Sequence, residues 1–217
     1  MNNVNDFHRA LIFQGGGSLG AYEAGAYKAF YELLSERDKK TGRDEHRLFD
    51  IVAGTSIGSM NAAVLVSYVK ENKSWHGSAE RLIEFWEHMG TESLVDKTPG
   101  FNEWWNYWHH FNNKLATGES ARRYYATKRF MFEGVPNVFR HSKTLEDGRF
   151  LDPSNTWYLY SNEPLKRSLE KYANFPITTS YQEKEPRLLL VALDVLEGLP
   201  VVFDSYEKAD GTRKTEY

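Results

Sequence analysis

Apolar residues along this chain fall into short unbroken runs that alternate with longer stretches of helical spacing. A strand is predicted over 9–14, and residues 20–35 have helical composition and period. The polar stretch 36–47 reads as a loop, followed by a second strand over 48–53. A helix over 57–70, rich in small and apolar residues, comes next. Another lies near 78–89, apolar at Leu82, Phe85, Trp86 and Met89. Residues 162–173 make a marked helix, with Asn162 as N-cap and Pro164 in the first turn. Strands are predicted at 187–195 and 200–204. This alternation predicts an α/β domain, a mostly parallel sheet between helical layers, with its functional loops at the C-terminal ends of the strands.

Residues 91–150 break the pattern. Trp104, Trp105 and Trp108 crowd the segment 101–111, and Arg122 to Phe132 form a basic, aromatic helix candidate. A helical, aromatic-rich insertion is expected here. Two roles stand open: packing its rings on the sheet, or capping the functional loops and touching a lipid–water boundary, which suits tryptophan.

Candidate chemistry sits at two glycine clusters. Gly54-Thr55-Ser56-Ile57-Gly58 lies between a predicted strand and a predicted helix, the context of a nucleophile elbow. There a serine occupies a tight turn at the positive end of a helix dipole. Gly15-Gly16-Gly17-Ser18-Leu19-Gly20 also joins a strand to a helix. Its backbone N–H groups and the helix N-terminus favour negative charge, either a bound phosphate or the oxyanion of acyl transfer. Gly15-x-Gly17-x-x-Gly20 matches the dinucleotide fingerprint. That fold also wants an acid ending the next strand, whereas Glu36 and Asp38 lie in a polar run and the next strand ends in the serine turn. A non-catalytic lipid- or nucleotide-binding domain is the competing reading.

Composition narrows the field further. A chain of 217 residues is long enough for one sizeable α/β core. A net charge of −3 with a pI near 6.2 argues against nucleic acid as a partner. The absence of cysteine excludes disulfides, thiol nucleophiles and cysteine-ligated metals. His109 and His110 are adjacent, so they diverge on a helix and make no metal pair. His141 is the candidate for a Ser–His–Asp arrangement. No signal or transmembrane pattern is visible, and a cytoplasmic enzyme is expected, with peripheral membrane contact. Neither cofactor nor metal is called for.

The two glycine motifs, in this order and about 35 residues apart, resemble the patatin-like phospholipase family. The block Pro186 to Phe203 is similar to that family's later core strand and hairpin. The resemblance covers residues 8–70 and 160–204. It implies a three-layer α/β/α fold and a serine acyl hydrolase acting on lipid or other ester substrates through a Ser–Asp dyad. On that pattern Ser56 is the nucleophile, and Gly15, Gly16 and Gly17 form the oxyanion hole. Gly54, Thr55, Ile57 and Gly58 complete the elbow, and Ser18, Leu19 and Gly20 complete the glycine loop. Leu19 stands where the family often has Arg or Lys. The base is expected from an Asp-Gly-Gly or Asp-Gly-Ala motif beyond Tyr217, which would make residues 1–217 a C-terminally incomplete domain with 91–150 inserted. Asp147 and Asp210 open the two Asp-Gly pairs within the chain, and Asp-Gly is also a hairpin-turn dipeptide.

Overall fold

The apolar runs pair side by side, and the periodic stretches coil between them. The computed structural model describes residues 8–42, 47–90, 137–141, 160–207 and 213–215. In chain order the elements are β1 (Ala10–Phe13), α1 (Leu19–Thr41), β2 (Ile51–Thr55), α2 (Ile57–Asn72) and α3 (Ser78–Met89). Then come β3 (Arg140–His141), β4 (Tyr160–Ser161), α4 (Glu163–Tyr172), β5 (Arg187–Asp194), β6 (Leu199–Glu207) and β7 (Arg213–Thr215). Two compact units result, one from Met1–Trp86 with Leu169–Tyr217, the other from Glu87–Ser168.

The first unit holds a five-stranded sheet in the order β1-β2-β5-β6-β7. β1, β2 and β5 are parallel, with Phe13 opposite Gly54 and Thr55 opposite Val191. β6 runs against β5, and β7 against β6, so four of the five strands share one direction. This is the mostly parallel sheet, flanked by helices, of the predicted α/β/α class. Parallel neighbours require crossover connections, and α1 supplies the one between β1 and β2.

α2 is apolar nearly all round because it is enclosed. Ile57, Ala62, Ala63, Val64, Leu65, Val66 and Val69 are all buried. α3 presents a stripe at helical spacing, with Leu82, Phe85 and Met89 buried. Tyr27 of α1 joins these layers. Its ring meets Phe13 edge-on at 6.3 Å and Phe49 at 6.3 Å. Its hydroxyl lies 2.6 Å from Ser78 Oγ, which itself donates to the Trp75 carbonyl. The one Ser78 proton is thereby committed, so the phenol donates to Ser78. On the opposite face of the sheet Ile12, Leu193 and Val202 are exposed.

In the second unit, β3 and β4 pair antiparallel with Arg140 opposite Ser161. Ser168 Oγ donates to the Asn137 carbonyl at 2.8 Å, tying the start of this segment to α4.

Two expectations need correction. α1 continues through Thr41, where the sequence reads as loop from Glu36. The buried Asp38 carboxylate accepts two bonds from the Arg9 guanidinium at 2.5 and 2.6 Å, which anchors the added turns beside the start of β1. Gly42, in the left-handed region at φ 71°, then stops the helix. β6 also runs longer than expected, to Glu207, and β7 follows as a strand paired at Arg213. The tryptophan-rich and basic helix candidates of 91–150 lie outside the described residues.

Burial pushes the Tyr27 phenol well above its usual value, and the Tyr206 phenol up to about 12. A phenol raised on folding stabilises fully below its unfolded value of about 10, and that contribution is lost as pH rises through the folded value. Denaturant unfolding is therefore expected to show stability falling between pH 10 and 12. Tyr27→Phe should flatten that fall, while costing about 1 kcal/mol at pH 7 through the lost Ser78 bond.

Candidate active site

β2 ends at Thr55 and α2 begins at Ile57, so the whole reversal of the chain is made at Ser56. Its backbone sits at φ 53°, ψ −126°, a region that costs a non-glycine residue about 1–3 kcal/mol. The flanking glycines show what compels it. A β-carbon on Gly58 would stand 2.5 Å from the Phe13 carbonyl oxygen and 2.6 Å from that of Gln14. One on Gly54 would overlap the Gly58 carbonyl and the Ser59 amide. α2 therefore lies on β1 and β2 at backbone contact, and only glycine fits at either position. Ser59 Oγ closes the turn, donating to the Gly54 carbonyl at 2.7 Å.

A serine in the N-cap position ordinarily accepts a hydrogen bond from the first turn of its helix. Ser56 makes no such bond. Its side chain is exposed, and among the described residues its hydroxyl has no hydrogen-bond partner. A hydroxyl at a helix N-terminus, held out of the backbone's own hydrogen bonding, is available to react.

The glycine loop meets this turn directly, because Phe13 and Gly54 are paired neighbours in β1 and β2. A β-carbon on Gly15 would lie 3.2 Å from Ser56 Cβ. Beyond it, the Gly16 and Gly17 carbonyls accept from Leu19 and Gly20 as α1 starts. A trans peptide directs its N–H opposite its carbonyl, so the Gly17 and Ser18 amides point back out of the helix end. Gly17, at φ 58°, makes the bend that allows this. All eleven motif residues, Gly15 to Gly20 and Gly54 to Gly58, thus gather at one edge of the sheet. Leu19 folds over the loop, with its Cδ1 3.1 Å from where a Gly16 β-carbon would be.

Two residues at this edge escape the sequence reading. Glu23, one turn into α1, accepts from the Gln14 amide at 2.7 Å through one carboxylate oxygen. Through the other it accepts from Asn61 Nδ2 at 3.1 Å. Asn61, fully buried in α2, also donates to the Gly20 carbonyl at 3.1 Å and accepts from Trp86 Nε1 at 2.9 Å. Both ends of the glycine loop are thereby fastened to α2, and α2 to α3. The available signal was Asn61 itself, a lone amide in a run of small and apolar residues, since a buried amide needs partners.

Asp147 and Asp210 lie outside the described residues, as does the side chain of His141. Glu207 and Arg213, which flank the Asp210 segment, pair at the end of the sheet away from Ser56. A cavity of about 510 Å³ also lies at that end, lined by Phe49, Tyr181, Tyr206, Arg47 and Arg187. Its arginines are engaged with Asp50 and Asp204 respectively.

A family model described as patatin-like phospholipase matches residues 11–212, a span that contains both glycine motifs and β5 to β6. No curated protein matches the chain, and no solved structure matches it.

The strained turn gives a test independent of any chemistry. Ser56→Gly should be more stable than Ser56→Ala by about 1 kcal/mol, because glycine relieves the backbone strain and loses part of that gain to unfolded-state entropy. Equal denaturation midpoints for the two variants would show that the turn is relaxed.

Proposed function

Because this chain belongs to the patatin-like phospholipase family, we propose that it is a serine acyl hydrolase in which Ser56 attacks the ester carbonyl of a lipid. The family implies lipid substrates, and the finer assignment is carried by one observation: the exposed Ser56 hydroxyl stands in a strained turn with no bond to its own helix.

In this reading Ser56 Oγ forms a bond to the carbonyl carbon as its proton passes to an aspartate base. The carbonyl oxygen takes up negative charge and is held by amides of the Gly15–Gly17 loop. Each preorganised donor of this kind contributes on the order of 3 kcal/mol to the transition state. Collapse of the tetrahedral intermediate expels the alcohol, which takes up the proton held by the aspartic acid, and leaves an acyl-serine. Water, deprotonated by the same base, then releases the fatty acid and restores Ser56. The family resemblance expects this base from an Asp-Gly motif, and Asp147 and Asp210 open the two Asp-Gly pairs of residues 1–217. Glu23 and Asn61 act at one remove. They hold the loop against α2, so the donors stay aimed while the charge develops.

Labelling with a fluorophosphonate and hydrolysis of a p-nitrophenyl ester test this reading together. Ser56→Ala is expected to abolish labelling and to lower ester turnover on the order of a thousandfold or more. Asp147→Asn and Asp210→Asn examine the two pairs as bases. Tight dinucleotide binding by a protein that resists labelling would favour the non-catalytic alternative. Glu23→Ala should slow labelling about tenfold or more while leaving circular dichroism unchanged, with Glu23→Gln recovering part of the rate.

A further inference from the structure

The turn between β5 and β6 carries the most exposed large apolar side chains of the described residues. Leu196 is 94% exposed and Val195 85%, with Leu193 and Leu199 each at least 60%. Scattered apolar residues on a surface are ordinary, but four within seven residues on one projecting turn make a patch.

The turn is built to hold them in water. Asp194 Oδ1 accepts from the Leu196 amide at 2.9 Å and the Glu197 amide at 3.2 Å. The Gly198 amide, at φ 66°, donates to the Asp194 carbonyl at 2.8 Å. With its backbone committed in this way, the turn loses little conformational freedom on docking.

Its position is as telling as its composition. Thr55 pairs with Val191, so the three further residues of β5 carry the turn about 10 Å past the end of β2. That is the edge that carries Ser56 and the glycine loop, and Leu19 and Tyr22 are exposed there as well. Between Asp194 and Leu199 there are two carboxylates, Asp194 and Glu197, and no lysine or arginine. Such a turn suits a neutral or zwitterionic surface and is repelled by an anionic one.

We propose that the Val195–Leu196 turn docks this protein on the surface of a zwitterionic lipid bilayer, bringing the Ser56 edge to the interface. The inference rests on the reading of Ser56 as the nucleophile of a lipid hydrolase. A scissile ester lies near the boundary between headgroup and acyl chain, so an anchor beside the nucleophile shortens the path of the lipid into the site. The turn inserts Val195 and Leu196 among the headgroups, while Asp194 and Glu197 stay hydrated at the rim.

Flotation with phosphatidylcholine vesicles tests this without relying on activity. The unaltered chain should float with the vesicles, and replacing one part in five of the lipid by phosphatidylserine should not strengthen binding. Val195→Asp with Leu196→Asp should weaken partitioning by roughly tenfold or more, the scale of burying one leucine side chain. The milder Leu196→Ser should fall between. Leu33→Asp, at a 66% exposed leucine midway along α1, should bind as the unaltered chain does. Failure of the unaltered chain to float, or flotation unchanged by the double substitution, would overturn the proposal. So would a dimer in sedimentation velocity that the double substitution dissolves, since a second copy would then cover the patch. Ser56→Ala should float normally. Loss of fluorophosphonate labelling evidence with vesicle binding intact therefore bears on the nucleophile alone, and the reverse on the docking turn alone.

Discussion

Everything at the Ser56 edge depends on α2 lying against the sheet at backbone contact. Helices normally pack on sheets through side chains, at a separation those side chains set. Here Gly54 and Gly58 remove the β-carbons, and Gly58 meets the Phe13 and Gln14 carbonyls directly. At that separation the chain passes from strand to helix through one residue, which takes on the backbone strain. A methyl at Gly58 would push α2 away from β1 and open both the turn and the adjoining glycine loop. The placement of the hydroxyl is thus a consequence of backbone packing, with its cost met by the burial of Ile57, Ala62, Val64 and Leu65 behind it.

Close approach leaves little room for water, so every polar group in this layer must find a protein partner. Asn61 satisfies its amide with Gly20, Glu23 and Trp86, and Glu23 reaches on to the Gln14 amide. Three helices and the glycine loop are joined by one amide and one carboxylate. Tyr27 and Ser78 do the same lower down between α1 and α3. These bonds have directions that apolar contacts lack. They set the rotation of α1 and α2, and with it the aim of the amides at the start of α1.

How much of this was legible follows from the range over which each feature is encoded. The Ser56 turn and the Gly15–Gly20 loop are local in sequence, because a sharp turn needs its glycines within a few residues. The buried stripe of α3 was equally readable, since Leu82, Phe85 and Met89 repeat at the helical period. Asp38 was not. By composition it belongs to a polar run, and its helical state depends on Arg9, 29 residues earlier. Glu23 lies within the predicted helix 20–35, and nothing local distinguishes a carboxylate that will meet the Gln14 amide.

The sequence by itself therefore determined the order of the main elements, β1 to α3 and α4 to β6, the family, and the two turns where backbone must bend or approach closely. Those properties are written in neighbouring residues and in the period of apolar side chains. Only the tertiary structure decided that α1 runs to Thr41, that Asn61 and Glu23 clamp the glycine loop, and that β7 pairs with β6. It also decided that Val195 and Leu196 project past the Ser56 edge. The reason is physical: ion pairs, buried amides and strand ladders join groups that are distant along the chain. Their energies exist only once the sheet has brought those groups within hydrogen-bonding distance.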